Sequence, residues 1–209
     1  MNAPFDIEKH TLETERMILR PFRMEDLDDL YEYASVPGVG EEAGWPHHKN
    51  KEESLYRVRH FIEGRHTFAI VYKENHKVIG SIGIDPMDED FVNKMSEFHS
   101  LYGREIGYVL SKDYWGRGLM TEAVKAVIDY LFDELDFDFL LCGHYDKNKR
   151  SKRVQEKLGF LPYRRLMCDT QLGVQEPGML NLLLNPHKSI ELAFSHPETL
   201  VFVPTPVGK

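Results

Sequence analysis

The sequence predicts a single α/β (α+β) domain built around one sheet. Its apolar residues follow strand and helix periodicities in the order β-α-α-β-β-β-α-β-α-β-β, which is typical of one sheet covered by helices. The chain has 209 residues, of which 42% are hydrophobic, enough for one domain with a substantial core. No internal repeat, linker or low-complexity run divides it. We therefore expect one domain with short additions at its ends.

The first part of the chain is predicted to hold one strand and two helices. Residues 1–11 read as a loose leader, and residues 12–22 have the mixed apolar content of a first strand. Apolar residues recur at helical spacing over residues 23–35 and again over residues 51–64. We expect Gly64 to end the second helix, since glycine is common at the C-terminal end of helices.

The middle of the chain is predicted to hold three strands. Residues 66–72 and 77–85 read as a hairpin with a polar turn. Residues 86–99 are polar, acidic and weakly patterned, and are expected to form an excursion between strands. The strand at residues 104–110 contains Gly107 at its centre. An interior glycine weakens a strand, so it indicates a bulge or a close approach of another backbone.

A long amphipathic helix is predicted between Gly118 and Leu135, because its apolar residues share one face. Gly159 is expected to end a later, shorter helix. The elements after the long helix are a strand, this short helix and a final strand pair, at residues 137–144, 149–158, 160–168 and 178–184.

A candidate ligand site lies at the turn between the central strand and the long helix. The first N–H groups of a helix have no partner inside it, and the helix dipole places partial positive charge there. Gly116 and Gly118 allow a ligand to approach the backbone closely, and Arg117 adds a full charge. These features predict a phosphate cradle, with a plain tight turn as the alternative. The chain contains neither a P-loop pattern nor a GxGxxG pattern, which argues against an ordinary nucleotide site.

Three stretches in order, EIGYVL, YWGRGLMTEAV and NKRSKRVQEKLGF, carry a resemblance to a known family. In order and spacing they resemble the GNAT superfamily of acyl-CoA N-acyltransferases, most closely the branch with the ribosomal-protein N-terminal acetyltransferases. The likeness extends from about Leu12 to Leu184. It implies a mixed, mostly antiparallel central sheet with a splayed central strand and helices on both faces. The implied domain covers residues 12–185, followed by a tail at residues 186–209.

The resemblance also implies acetyl-CoA as co-substrate. The family's pyrophosphate loop has the pattern Q/R-x-x-G-x-G/A, and the stretch WGRGLM departs from it at its first and last positions. Because backbone amides bind the phosphates, cofactor binding should survive these departures. Val109 and Leu110 match the positions whose backbone supplies the oxyanion donor, and Asn148 matches a contact to the pantetheine arm. The implied cofactor-binding residues are Val109, Leu110, Gly116, Arg117, Gly118, Met120, Thr121 and Asn148.

Two residues are candidates for proton transfer, because the amine must be neutral to attack and the departing thiolate takes a proton. Glu105 matches a position where relatives often carry a glutamate base; alternatively, it pairs with Arg104 or with a cation across the sheet. Ser151 matches a serine near the sulfur; alternatively, it caps the short helix together with Asn148. Many relatives place a tyrosine acid where this chain has Gln155, which leaves Ser151 or water as the acid.

The loop before the second helix borders the acceptor site in relatives. Trp45 and His47 are therefore candidate substrate contacts, with core packing as the alternative role of Trp45. No metal is expected, because two cysteines, Cys142 and Cys168, are too few for a zinc site. The adjacent pair His47 and His48 has no carboxylate at a ligand spacing.

Composition restricts the partners and the location. The formal net charge of −8 argues against a nucleic-acid binder and permits a cationic amine as partner. No apolar run is long enough to span a membrane, and the N-terminus lacks the apolar core of a signal peptide. We expect a cytoplasmic protein, monomeric or homodimeric, that binds neither membrane nor nucleic acid.

The expected function is acetyl-CoA-dependent N-acetyltransfer to a primary amine, on a protein N-terminus or a small molecule, by direct attack in a ternary complex. The alternative is a CoA-binding regulatory domain without turnover. The departures at Trp115 and Met120 favour that alternative, whereas Glu105, Asn148 and Ser151 favour the enzyme. A third interpretation, a structural interaction protein, predicts no affinity for CoA.

Overall fold

The computed structural model describes residues 1–8, 10–88, 94–190, 192 and 200–202. Within these residues the chain forms one nine-stranded sheet and four α-helices. The strands are β1 (Leu12–Glu13), β2 (Met17–Pro21), β3 (Thr67–Tyr72), β4 (Val78–Asp85), β5 (Gly103–Leu110), β6 (Phe139–Tyr145), β7 (Leu161–Asp169), β8 (Gln175–Leu184) and β9 (Leu200–Phe202). The helices are α1 (Leu27–Ala34), α2 (Lys51–Gly64), α3 (Leu119–Asp129) and α4 (Lys149–Lys157).

The sheet is mixed and mostly antiparallel, as the resemblance implies. Its strand order is β1-β2-β3-β4-β5-β6-β8-β7-β9. The described pairs are antiparallel except for β5 with β6 and β7 with β9, which are parallel. The first five strands are therefore joined to the other four through the parallel pairing of β5 with β6 at the centre of the sheet.

The central strands separate after a short paired stretch. β5 pairs with β4 without interruption, from Asp85 opposite Glu105 to Gly80 opposite Leu110. Its pairing with β6, by contrast, ends at Glu105 opposite Leu141. The splayed central strand is thus confirmed. A bulge at Gly107 is wrong, because the register with β4 runs through this residue unbroken and places it opposite Gly83.

Helices cover both faces of the sheet, as expected. Alternate residues of a strand point to opposite faces, and β3 shows this directly. Phe68 and Ile70 pack in a core with α3, whereas Ala69 and Val71 pack in a second core with α1 and α2. The two cores hold the helices against opposite faces of the same strands.

The long helix forms where its periodicity predicts, and its last turn is irregular. α3 begins directly after Gly118, and its apolar face is buried. At Tyr130–Glu134 the helix continues as a π-helical turn. The helix therefore ends close to Leu135, as expected. Gly159, with φ of +84°, follows α4 as its expected C-terminal stop.

Two local details differ from the sequence-based expectation. The predicted first strand is two strands, β1 and β2, because the chain turns between them with a hydrogen bond from the Thr14 amide to the Met17 carbonyl (2.9 Å). Gly64 is the last residue of α2, as expected, but the left-handed residue that terminates the helix is the next one, Arg65, with φ of +54°.

The leader is packed against the sheet, which differs from the loose segment expected. Ala3 and Ile7 are buried in the core on the α3 face. The Ala3 amide donates to the Gly103 carbonyl (3.1 Å), and Arg104 Nε donates to the Ala3 carbonyl (2.7 Å). In the tail, β9 pairs with β7, and residues 191, 193–199 and 203–209 lie outside the described residues. The domain boundaries at residues 12–185 and 186–209 stay predictions.

Candidate active site

Two concavities on opposite faces of the sheet meet where β5 and β6 separate. The first, the α3–α4 cleft, is lined by the turn before α3, the start of α3 and one side of α4. The second, the α1–α2 pocket, lies between α1, α2 and the strand surface, and encloses about 540 Å³. Both are lined by Tyr108, Val109, Asn148 and Ser151. A molecule bound in one can therefore reach a molecule bound in the other.

The glycine turn before α3 leaves open space in front of its backbone. Gly116 and Gly118 have φ of +78° and +76°, a conformation that side chains disfavour. A Cβ built on Gly116 has no neighbour within 4 Å, and one on Gly118 meets only Arg16 Nη2 at 3.8 Å. No side chain caps the start of α3. The free amides of this helix start therefore face a space that a phosphate fits.

The turn is held in place by neighbours on both sides. Arg16 donates from Nη1 to the Arg117 carbonyl (3.0 Å) and from Nε to Glu122 Oε2 (2.7 Å). On the other side, Trp115 Nε1 donates to the Leu110 carbonyl (2.8 Å). Trp115 thus ties the glycine turn to the end of β5. Trp115, which stands at the first position where the loop departs from the family pattern, therefore has a structural role.

Arg117 does not line the α3–α4 cleft. Its side chain is exposed, with Cζ 5.2 Å from the centre of the Tyr114 ring. The positive charges in the cleft lining come instead from Arg150, Arg153 and Lys157 of α4. Arg150 stacks on Trp115 with Cζ 3.9 Å from the ring centre, and pairs with Glu42 (3.2 Å). The spacing i, i+3, i+7 places the three on one helix face, a signal that the sequence already contained.

Asn148 and Ser151 have different roles at the start of α4. Asn148 Oδ1 accepts a hydrogen bond from the Ser151 amide (3.0 Å), so Asn148 is the cap. Its Nδ2 donates to the Glu42 carbonyl (3.0 Å). Ser151 Oγ lies 3.0 Å from the Tyr108 hydroxyl and accepts from Gln155 Nε2 (3.0 Å). The Ser151 side chain is therefore not a cap and points to the junction of the two concavities.

Sequence reasoning missed Tyr108. Its hydroxyl crosses from β5 to α4 and meets Ser151, close to the position that Gln155 occupies on the helix. Burial raises the pKa of Tyr108 well above its usual value, so the hydroxyl stays protonated at neutral pH. Strand alternation places Tyr108 on the face opposite to Glu105, which was readable from the sequence. Its contact with Ser151 was not, because the two residues lie far apart in the chain.

The floor of the α1–α2 pocket is a trough on the sheet. Gly83 of β4 lies opposite Gly107 of β5, so two facing positions carry no side chain. Asp85 and Glu105 form the next pair on this face. The Asp85 carboxylate leans over the trough, because a Cβ on Gly83 would lie only 2.8 Å from its Oδ2. Gly107 thus supplies an open pocket floor.

Glu105 lies at the acidic end of this floor. Burial, and then the charge of Asp85, raise the pKa of Glu105 to about 7. The Arg104 side chain is on the other face of the sheet, where it bonds the Ala3 carbonyl. In the described parts of the chain, no salt bridge joins Glu105 to a cation. Pairing with Arg104, the structural alternative for Glu105, is therefore not what the structure contains.

The two acceptor-loop candidates are in different environments. Trp45 lines the α1–α2 pocket and also packs in the core with α1 and α2. His47 lines neither concavity, because its Nδ1 lies 2.8 Å from Glu41 Oε1. The next residue, His48, lines the pocket instead, with its ring centre 5.3 Å from that of Trp45. The geometry therefore favours His48 over His47 as the acceptor-side histidine.

Comparison with known proteins gives this geometry a family. Residues 16–161 match the Acetyltransferase (GNAT) domain. The chain belongs to the GNAT acetyltransferases. It is 31% identical over 156 residues to the "Uncharacterized N-acetyltransferase p20" of Bacillus licheniformis, covering 72% of this chain and 82% of that protein. The expectation of an acetyltransferase is thereby confirmed.

Solved structures share the fold of this GNAT acetyltransferase. A ribosomal-protein-S5-alanine acetyltransferase from Vibrio fischeri aligns with a TM-score of 0.65 and 21% identity, over 85% of this chain and 98% of that chain. The microcin C7 self immunity acetyltransferase MccE, in complex with acetyl-CoA and AMP, aligns with a TM-score of 0.66 and 18% identity, over 82% and 93%. At these identities the two structures show the fold, and one of them bears the name of the ribosomal-protein branch that the resemblance implies.

Most predicted site residues of this GNAT acetyltransferase come together around the junction. The residues that line the α3–α4 cleft are Val109, Leu110, Gly116, Gly118, Met120, Thr121, Asn148 and Ser151. Glu105 and Trp45 line the α1–α2 pocket. Arg117 and His47 line neither.

The described residues contain neither a helix that could span a membrane nor a metal-binding group of side chains. None of the helices in the described parts of the chain has the length and apolar character needed to cross a membrane. Among the same residues, no group of three or more His, Cys, Asp or Glu side chains is placed to hold a metal ion.

Proposed function

We propose that this GNAT acetyltransferase transfers the acetyl group of acetyl-CoA to a primary amine by direct attack in a ternary complex. The observation that carries the proposal is the junction of the two concavities at Tyr108, Val109, Asn148 and Ser151. A donor in the α3–α4 cleft and an acceptor in the α1–α2 pocket would meet there without a covalent enzyme intermediate. Holding two reactants together in this way can replace about 7 kcal/mol or more of entropic barrier.

The α3–α4 cleft has the groups that acetyl-CoA needs. The free amides after Gly116 and Gly118 would bind the pyrophosphate, with the charges of Arg150, Arg153 and Lys157 nearby. When bound, acetyl-CoA supplies the acetyl group as a thioester. Val109 lines both concavities, so the acyl end of the cofactor would point through the opening between β5 and β6.

The edge of β5 beyond Glu105 would orient and polarise the acyl group. Because β6 leaves β5 at this residue, the backbone groups of the next stretch that point away from β4 have no strand partner among the described residues. The Ser111 amide donates to the Ile79 carbonyl of β4 (2.7 Å), so alternation along the strand turns the Val109 amide toward β4 and the Leu110 amide away from it. Trp115 donates to the Leu110 carbonyl, and the Leu110 amide would be the donor to the acyl oxygen. A donor that is already in place stabilises the developing negative charge without reorganisation.

Glu105 would remove the proton that the attacking amine must lose. A base works best when its pKa lies near the working pH, and the pKa of Glu105 is raised to about 7. Asp85, its neighbour across the strands, lies with Oδ1 2.8 Å from His66 Nδ1. The pair of carboxylates would also attract a cationic amine to the pocket floor.

Ser151 and Tyr108 would supply the proton to the departing thiolate. Their hydroxyls are hydrogen-bonded to each other at the junction, and Gln155 Nε2 donates to Ser151. Gln155 is 1% exposed, and its Nε2 also donates to the Gly143 carbonyl (3.0 Å), which fixes its amide. A Ser151 hydroxyl that donates its proton could recover one from Tyr108.

We expect Ser151→Ala to slow acetyl transfer in a single-turnover experiment by about tenfold. This is below the usual effect of losing a general acid, because Tyr108 and water remain as donors. Its melting temperature should change little, since the helix cap is Asn148. The matched control Asn148→Ala removes the helix cap, so it should lower the free energy of unfolding by about 1 kcal/mol. An unchanged single-turnover rate for Ser151→Ala would assign the acid role to Tyr108 or water.

A thiol-release assay with acetyl-CoA against a panel of amines, peptides and aminoglycosides tests the function itself. We expect CoA release that depends on both the amine and the enzyme, with the N-acetylated product identified by mass. CoA binding without release for any amine would support the alternative, a CoA-binding regulatory domain. No CoA binding would support a structural interaction protein.

A further inference from the structure

Arg57 of α2 is a cation in the α1–α2 pocket that forms no ion pair with any carboxylate of the described residues. Its side chain is half-buried and lines the pocket. Among the described residues, no carboxylate lies within salt-bridge distance of its guanidinium, and the ring of Phe61 lies with its centre 5.8 Å from the Arg57 Cζ. The charge of the Asp85 carboxylate acts on Arg57, but this carboxylate is not paired with it, because its Oδ1 lies 2.8 Å from His66 Nδ1.

The described side chains of α1, β4, α2 and the acceptor loop beside Arg57 are polar and uncharged, and the carboxylate whose charge acts on it is Asp85. Tyr33 of α1 and Ser81 of β4 face it, together with His48 of the acceptor loop and His60 of α2. Burial, followed by the charge of Arg57, lowers the pKa of both histidines, so they stay neutral at neutral pH. The α2 side of the pocket therefore carries one fixed positive charge.

An unpaired, half-buried guanidinium is costly unless something pairs with it. A buried charge normally has a counter-charge and hydrogen bonds, and the planar guanidinium fork matches the two oxygens of a carboxylate or phosphate. The pocket thus has an acidic floor at Glu105 and Asp85, and a positive wall at Arg57. A ligand with an amine and an oxyanion would satisfy both.

We infer that the acceptor is an amine that also carries an oxyanion group, a carboxylate or a phosphate, which Arg57 binds while the amine faces Glu105. This inference rests on the proposed function and narrows its substrate class. The pocket volume of about 540 Å³ suits a ligand of metabolite size. Arg57 is accordingly a specificity residue and takes no part in the proton transfers.

Matched pairs of acceptors test the inference. Free amino acids are compared with their α-carboxamides, and phosphoethanolamine with ethanolamine, at constant ionic strength. The α-amine of the amide is the less basic, so intrinsic reactivity at neutral pH favours the amide. We nevertheless expect kcat/KM to favour the oxyanion-bearing member by at least about tenfold, the effect of one charge-assisted pair. The pair with the larger ratio identifies the oxyanion as carboxylate or phosphate.

Arg57→Met should remove this preference, so that the ratio of kcat/KM within each pair falls to one or below. Arg59→Met is the matched control, because it removes a positive charge from the same helix at an exposed position outside the pocket. It should keep the wild-type ratio. Arg57→Lys, which keeps the charge but loses the fork, should give an intermediate ratio. Equal turnover of both members by the wild type would overturn the inference and leave the acetyltransferase proposal intact.

A binding measurement gives a second readout that does not need turnover. In the presence of CoA, the product analogues N-acetylglycine and N-acetylphosphoethanolamine should raise the melting temperature of the wild type more than their neutral counterparts, N-acetylglycinamide and N-acetylethanolamine. In Arg57→Met the difference should vanish, while the shift produced by CoA alone stays. If the neutral analogues stabilise the wild type equally, Arg57 does not bind an oxyanion. Loss of turnover with all amines, by contrast, would count against the proposed function only.

Discussion

Glu105→Gln is expected to lower kcat/KM for the acceptor amine by about a hundredfold or more, the usual effect of losing a general base. Glutamine keeps the shape of the side chain and cannot accept the proton. The Michaelis constant for acetyl-CoA should stay close to that of the wild type, because Glu105 lines the α1–α2 pocket and not the α3–α4 cleft. Steady-state kinetics with each substrate varied in turn measure both effects.

The pH dependence identifies the group. Because the pKa of Glu105 in the folded protein is raised to about 7, kcat/KM of the wild type should show a break near this pH, below which the base is protonated. Deprotonation of the amine adds a separate rise at higher pH. In Glu105→Gln the break near pH 7 should disappear and only the rise due to the amine should remain. A break that persists in the variant would assign the base to another group.

The same variant should be more stable at alkaline pH. The pKa of Glu105 is about 7 in the folded protein and near its ordinary value of 4.5 when unfolded, so the folded state binds more protons between these values. The free energy of unfolding therefore falls as pH rises through this window. Above it, the wild type carries a buried, repelled charge that glutamine lacks. Glu105→Gln should melt higher than the wild type at pH 8, and the difference should shrink toward pH 5.

Glu15→Gln is a suitable control for this pair of effects. Glu15 is exposed in the turn between β1 and β2, outside both concavities. Its replacement removes one negative charge without touching the pocket floor. Activity and the pH dependence of melting should both follow the wild type. A loss of activity in Glu105→Gln accompanied by lower stability at every pH would indicate a structural role for the carboxylate.

Gly118→Val is expected to weaken CoA binding by about a hundredfold. The left-handed backbone at Gly118, with φ of +76°, is disfavoured for a β-branched residue, and the added side chain would enter the space that the phosphates need. Losing about two charge-assisted hydrogen bonds, each contributing about 1.5 kcal/mol, accounts for this factor. Isothermal titration with CoA measures the dissociation constant directly.

Gly173→Val separates the loss of the phosphate site from backbone strain. Gly173 has nearly the same conformation, with φ of +74° and no atom within 4 Å of an added Cβ, and lies in the turn between β7 and β8. Each valine should cost about 1–2 kcal/mol of stability through its strained backbone. Only Gly118→Val should lose CoA affinity. Equal affinities in the two variants would move the phosphates away from the glycine turn.

Local signals explain what could be predicted. The strand, glycine turn and helix from Gly103 to Asp129 follow from strand-forming residues, two glycines and an apolar stripe at helical spacing, all within a short stretch. The proposed phosphate cradle is part of the same stretch. Asn148 as a helix cap is equally local, because its partner is the amide three residues later.

Some details were missed even though they are local. The turn that divides β1 from β2 and the left-handed Arg65 after Gly64 depend on a few neighbouring residues. At each of these two places the same side chains are compatible with the expected and with the observed backbone conformation, and the backbone hydrogen bonds decide between the two. The choice of His48 over His47 is of the same kind, because Glu41 holds His47 away from the pocket.

The sequence by itself determined the family, the class of fold, the glycine turn and most of the residues that line the two concavities. The tertiary structure alone decided how these residues work together. Asp85 is twenty positions from Glu105 in sequence, yet strand register makes them neighbours, and that proximity helps to raise the pKa of Glu105. Tyr108 reaches Ser151 only because β5 and β6 separate beside α4. The physical reason is that periodicity encodes which face a residue takes, whereas register and packing between distant segments decide what it meets there.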